Sequence, residues 1–162
     1  MKRIAPGPGQ ESVWDYPRPP TWEPCDREIK VVFGGETIVR TTNAKRVLET
    51  SHPPVYYIPI EDVRSGALVP SDRQSFCEWK GIANYHHIQV NDAIAQNAAW
   101  GYRDPTEAFA AIRDHVAIYP HSMDACYVGG ELVEAQRGGF YGGWITKKIV
   151  GPFKGEPGTQ GW

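Results

Sequence analysis

Residues 30–39 read Lys-Val-Val-Phe-Gly-Gly-Glu-Thr-Ile-Val. Two β-forming runs flank a Gly-Gly pair, and adjacent glycines accept the positive φ that a two-residue hairpin turn demands. The arrangement recurs twice. His87-Ile88-Gln89-Val90-Asn91-Asp92-Ala93-Ile94-Ala95 turns at Asn-Asp, and Ala125-Cys126-Tyr127-Val128-Gly129-Gly130-Glu131-Leu132-Val133 turns at a second Gly-Gly. Three hairpins supply six strands. Further strands are expected at 55–58 (Val-Tyr-Tyr-Ile), 74–80 and 115–119. Pro53, Pro54 and Pro59 bracket the first, which reads as a short or edge strand. Hairpins 30–40 and 87–96 are expected to pair into one sheet, with 74–80 leading into the second through a short break at Gly81.

Helical signals are few. Asn43 is a candidate cap for one to two turns over Ala44–Thr50. The clearest helix is Pro105–Asp114, with Asp104 as N-cap, Pro105 in the first turn and Glu107 three residues after the cap. Its apolar face is narrow. The fold class is therefore mainly β, with short helices.

The flanks differ from this body. Residues 1–28 hold Pro-Gly-Pro-Gly, Pro-Arg-Pro-Pro and Pro24. Proline fixes φ and removes amide donors, so this stretch reads as an extended N-terminal arm, with Trp14, Tyr16 and Trp22 available to pack against something. The tail 151–162 has the same character. No proline- or serine-rich linker divides the rest, so 29–162 reads as one mainly β domain ending in an extended tail. At 162 residues the chain is long enough to bury a core without metal or disulfide staples. With 41% hydrophobic and 22% charged residues, wholly disordered and coiled-coil chains are excluded. A net charge of -2 lacks the basic surplus of a nucleic-acid binder. No apolar run approaches the ~20 residues of a membrane span. The N-terminus lacks the apolar stretch of a secretory leader. Three cysteines without a Cys-x-x-Cys fit a reducing compartment. A cytoplasmic protein with neither membrane nor nucleic-acid partner is expected.

Ser75-Phe76-Cys77-Glu78-Trp79-Lys80-Gly81 is the most suggestive segment for chemistry. In a regular strand Ser75, Cys77 and Trp79 share one face, and Phe76, Glu78 and Lys80 the other. Lys80 then cannot neighbour Cys77, and a reactive thiolate would need a base from elsewhere. The competing reading is a buried, inert cysteine beside a packed tryptophan. The five histidines, His52, His86, His87, His115 and His121, form neither His-x-x-x-His nor His-Glu-x-x-His, so no metal site and no cofactor are expected. His52 stands in a rigid polar turn, Thr50-Ser51-His52-Pro53-Pro54. Gly138-Gly139-Phe140-Tyr141-Gly142-Gly143-Trp144 lacks the Gly-Lys-Ser/Thr ending of a phosphate loop, and its glycines read as sharp bends between rings. The aromatics carry the strongest hint. Tyr56, Tyr57, Trp79, Trp100, Tyr102, Tyr119, Tyr141 and Trp144 combine an apolar body with a polar tip, which suits either core packing or a pocket that orients a small ligand. Arg46, Glu49, Lys80 and Arg113 are available to charge it. Tyr56 and Tyr57 point to opposite faces of a strand, so one of them looks inward. The cleft is expected to be lined by Cys77, Trp79, one of Tyr56 and Tyr57, and at least one of Trp100, Tyr119 and Trp144. Trp100, at the end of its strand, belongs near the mouth.

Several segments together carry a family resemblance. They are ESVWDYPRPP (11–20), VVFGGETIVRTTNAKRVLETSHPPVYYIP (31–59), SFCEWKG (75–81), QNAAWGY (96–102), FAAIRDHVAIYP (109–120), GGFYGGWIT (138–146) and GPFKGEPGTQGW (151–162). From about Glu11 to Trp162 the chain resembles the bacterial family called domain of unknown function 427. The resemblance implies folded antiparallel sheets in a tent-like arrangement around a pocket, and no established activity. Members sometimes carry a nucleotidyltransferase label, but the Gly-Ser pair followed by Asp-x-Asp that such enzymes commonly show is absent here. The leading functional expectation is a small-molecule-binding domain with an aromatic pocket, its partner a small ligand. The alternatives are an enzyme, a nucleotide-related transferase or one acting on a small carbonyl compound, and a protein-interaction module docking through the arm 5–24. The enzyme would use Cys77 as nucleophile, His52 as acid/base and Lys80 or Arg46 to bind an anion.

Overall fold

The computed structural model describes residues 1–162. Eleven strands build its two large sheets: β1 (Thr21–Pro24), β2 (Ile29–Phe33), β3 (Glu36–Thr41), β4 (Lys45–Leu48), β5 (Val55–Pro59), β6 (Leu68–Cys77), β7 (Gly81–Val90), β8 (Ala93–Gly101), β9 (His115–Ile118), β10 (Ala125–Val128) and β11 (Glu131–Leu132). All three hairpins form, as β2–β3, β7–β8 and β10–β11. Gly34, Gly35, Gly129, Gly130 and Asn91 take the positive φ their turns need. One sheet has seven strands in the order β1-β4-β5-β9-β8-β7-β6, and the other four, in the order β11-β10-β2-β3. Pairing within both is antiparallel, and neither closes into a barrel.

Four expectations are corrected. Hairpins β2–β3 and β7–β8 lie in different sheets and do not pair. They meet face to face instead: a Cβ added at Gly34 would lie 3.1 Å from that of Val90. β5 is central, held between β4 and β9. Its prolines sit before it and at its last residue, where a missing amide costs no interior ladder bond. Residues 44–50 are not helical. Lys45–Leu48 pairs with Thr21–Pro24 on one side and with Val55–Tyr57 on the other, so two rows of tertiary hydrogen bonds override a weak local helix preference. The helix expected at 105–114 shrinks to 3-10 turns over Glu107–Ile112, broken at Phe109 (φ -115°, ψ 19°). Thr106 occupies its cap position but makes no capping bond there. Its hydroxyl donates instead to the Trp79 carbonyl at 2.6 Å.

The seven-stranded sheet is apolar on both faces. On one face Tyr56, Ile58, Ile88, Val116 and Ile118 pack with Ile29, Val31, Val39 and Cys126 of the four-stranded sheet, forming the principal core. Trp144 closes this core, fully buried, with its indole N–H donating to the Ile118 carbonyl at 3.2 Å. The other face carries Val47, Tyr57, Tyr85, Trp100 and Tyr119, covered in part by Phe109 and Ile112. Both terminal segments are pinned to the body. Glu11–Ser12 pairs in parallel with Ile149–Val150. The Trp14 indole donates to the Pro152 carbonyl at 2.9 Å, and its ring meets Trp162 edge-on at 5.1 Å. No helix is long and apolar enough to cross a membrane.

Removing a large ring from the sealed core should cost far more than removing an exposed one. Trp144→Ala is expected to lose about 3–5 kcal/mol in urea unfolding. Phe76→Ala, at a side chain 74% exposed, should stay within about 0.5 kcal/mol of wild type.

Candidate functional site

The second face of the seven-stranded sheet is left incompletely covered, and a cavity of about 320 Å³ opens there. Alternation along the strands builds its floor: Val47 from β4, Val55 and Tyr57 from β5, Tyr85 from β7 and Trp100 from β8, with Tyr119 just beyond β9. Tyr85 and Trp100 are direct cross-strand partners, and Trp100 stacks on Tyr119 with ring centroids 4.5 Å apart. One wall is the end of β6 and the turn after it, Ser75–Lys80. The opposite wall comes from His52, Pro53, Gln136, Phe140–Gly142 and Lys154.

Tyr57, Cys77, Trp79, Trp100 and Tyr119 therefore line one cavity, together with His52 and Lys80. Tyr56, Trp144 and Arg46 do not. The pleat turns Tyr56 to the opposite face, where its ring lies 5.1 Å from Trp144. Trp100 is only 7% exposed and belongs to the floor rather than the mouth. Arg46 holds the N-terminal segment to the sheet. Its guanidinium donates to Glu23 Oε1 at 2.6 and 2.9 Å and to Glu11 Oε1 at 2.7 Å, and the Tyr16 hydroxyl donates to the same Glu11 oxygen at 2.7 Å. Burial opposes charge on Glu11, but these hydrogen bonds hold its carboxyl below the usual range.

The turn carries the least expected feature. β6 ends at Cys77, which pairs with Gly81 across the three-residue turn Glu78–Lys80. Gly81 takes φ +108°, a value L side chains rarely adopt, and the chain doubles back so that Lys80 Nζ donates to Cys77 Sγ at 3.3 Å. The strict alternation that separated these two residues fails because the strand stops first. The turn is clamped from outside by Thr106, whose N–H donates to the Lys80 carbonyl at 3.0 Å and whose hydroxyl holds Trp79. Lys80 is buried and enters no salt bridge. Its ammonium lies 5.5 Å from the Phe109 ring centroid and 5.9 Å from that of Tyr102, so ring quadrupoles offset only part of the cost of burying it.

Burial also fixes the protonation of the surrounding groups. It raises the Tyr57, Tyr102 and Tyr119 phenols above their ordinary value, which keeps them as hydroxyl donors at neutral pH. His52 is pulled down to about 4 by burial first, then by Lys154, Arg18 and Lys80. Glu49, 3.6 Å away, favours the imidazolium but is outweighed. The neutral ring is 3.3 Å from Gln136 Nε2 and 5.4 Å, centroid to centroid, from Tyr141. No three His, Cys, Asp or Glu side chains gather as metal ligands. Lys80, Cys77, a neutral imidazole, protonated phenols and the Glu49 and Glu78 carboxylates thus line one aromatic cavity.

Sequence reasoning missed Tyr85, Gln136, Phe140 and Lys154. Tyr85 was within reach, since it falls on the Ala83–Tyr85 face of β7; the others come from irregular backbone that no period describes. Within 138–143 only Gly138 bends at positive φ. Gly142 and Gly143 are required by close approach: a Cβ on Gly142 would run into the Trp100 ring, and one on Gly143 into Gln136 and Pro53.

The fold and cavity define an open protein of two large antiparallel sheets with an aromatic chamber on one sheet face. The family profile described as Domain of unknown function (DUF427) matches residues 21–129, and the chain belongs to that family. The match runs from β1 to the β10–β11 turn, so it contains the cavity floor and the Cys77–Lys80 turn but not the wall from Gln136 to Lys154. No curated protein matches the chain.

His52 makes stability depend on pH. Between about pH 4 and 6.5 the unfolded chain holds a proton at this residue that the folded chain does not, so stability rises with pH across that window. Replacing it by glutamine should flatten the decline in acid-induced unfolding below pH 6.5, by roughly 3 kcal/mol at most. An unchanged slope would show that His52 is not buried as a neutral ring.

Proposed function

We propose that this protein binds a small, planar organic molecule in the chamber over the seven-stranded sheet. The observation that carries the reading is Lys80: a buried ammonium at the edge of an aromatic cavity, without a carboxylate partner. Burying a charge is costly unless it is paired, and a ligand with an acceptor group would relieve that cost while stacking on Trp79 and Trp100. A volume of about 320 Å³ lies at the small end of ligand sites. Most of the lining rings present a polar tip beside an apolar face, which orients a ligand as well as burying it. A second reading, catalysis with Cys77 as nucleophile and His52 or Lys80 as proton carriers, is supported by the Cys77–Lys80 contact and by the presence of His52 on the same cavity.

A thermal-shift screen with small aromatic acids, amides and carbonyl compounds tests the binding reading. At least one class is expected to raise the melting temperature, and Trp79→Ala should abolish that rise. Gly142→Ala would drive Trp100 off its seat. It is expected to cost about 1–3 kcal/mol through overpacking and to weaken the same ligand. A library that leaves the melting temperature unmoved, or ligand shifts that survive both changes, would contradict the proposal.

A further inference from the structure

Cys77 and Lys80 form a pair that neither the cavity's shape nor its aromatic lining explains. They are two different nucleophiles, a thiol and an amine, 3.3 Å apart on the wall of one chamber. Of the three cysteines, Cys25 and Cys126 are buried, and Cys77 alone is partly open. The amine forms no salt bridge with a carboxylate, and its turn is fixed by Thr106 and Gly81. A site that only held an anion would need the ammonium but not the thiol beside it.

We propose that the chamber takes aldehydes, and that Lys80 and Cys77 capture the aldehyde carbon between them as an N,S-acetal. This rests on the reading of the cavity as a small-molecule site and names the class of its ligand. The steps balance without oxidant or reductant. The Lys80 ammonium first gives up a proton to solvent; the free amine then adds to the carbonyl carbon and a C–N bond forms. The carbonyl oxygen leaves as water, giving the imine. Cys77 sulfur then adds to the imine carbon, a C–S bond forms, and the thiol proton ends on the nitrogen. One aldehyde, one amine and one thiol become one acetal and one water. The imine carbon is bonded to a nitrogen that already touches the sulfur, so the second bond needs little movement. Tyr57 and Tyr102 line the same space and supply hydroxyl donors for the carbonyl oxygen.

The test uses the full chain and two probes. o-Phthalaldehyde yields a fluorescent isoindole only where an amine and a thiol reach it together. A single isoindole bridging Cys77 and Lys80, mapped by peptide mass, is expected, with complete loss in Cys77→Ser and in Lys80→Arg. The arginine variant keeps the cation but cannot form an imine, and thermal melts establish that both variants fold. Benzaldehyde should slow isoindole formation saturably, and borohydride should then trap a benzyl group on Lys80 in preference to surface lysines. Benzyl groups spread evenly over surface lysines, or an isoindole that persists in Lys80→Arg, would overturn the inference. Protection by benzyl alcohol equal to that by benzaldehyde would overturn aldehyde capture while leaving the binding site intact. If no aromatic probe protects and the thermal-shift screen is also silent, the binding reading fails with it.

Discussion

The pleat of the central sheet governs everything built on it. Successive residues of a strand point to opposite faces, and on β5 two adjacent tyrosines, both about 1% exposed, show that both faces are apolar. Such a sheet must be covered twice. One cover is the four-stranded sheet, which meets it in a core of 20 buried residues. The other has only the broken 3-10 turns at 107–112 and the irregular stretch from Gln136 to Lys154, and the cluster beneath them has 10. Short irregular segments cannot match the flat extent of a sheet, so the second cover leaves a chamber. Its aromatic lining is the apolar sheet face itself, and the polar tips of Tyr and Trp make that partial exposure tolerable.

The chemistry enters where regular structure ends. Had β6 continued three residues further, Lys80 would project away from Cys77. The strand stops at Cys77, Gly81 supplies the unusual φ, and Thr106 fixes the turn from a different part of the chain. The Thr106 hydroxyl, at the cap position of the 3-10 turns, is used instead to hold Trp79. This also accounts for the poor helix at 107–112, which begins without a side-chain cap.

Much of the fold was legible in the sequence because it is written in short-range signals. Gly34–Gly35, Asn91–Asp92 and Gly129–Gly130 each mark a two-residue turn, and all three hairpins stand where those dipeptides put them. The partners of each hairpin are long-range facts. Nothing local to 30–40 distinguishes pairing with 125–128 from pairing with 87–96. Lys45–Leu48 looked helical because its strand identity depends on Thr21–Pro24 and Val55–Tyr57 on either side. At the site, period-two reasoning assigned Tyr56 and Tyr57 to opposite faces but could not say which face held the chamber. It failed at Lys80, because a period has no meaning past the last residue of a strand. Arg46 lies outside the chamber, held by two carboxylate partners that are 35 and 23 residues away in the chain.

The central claim is that the chamber, and not the outer surface or the pinned termini, is where this protein meets its ligand. The six tryptophans distribute themselves usefully for a direct test. Trp79 and Trp100 line the chamber, while Trp14 and Trp162 meet edge-on at the terminal segments. Indole N–H resonances in a ¹⁵N-labelled sample, titrated with small aromatic fragments, report on each separately. The account predicts saturable shifts at Trp79 and Trp100 with Trp14 and Trp162 unmoved. Shifts confined to Trp14 and Trp162, or none at Trp79 and Trp100 with any fragment, would contradict it.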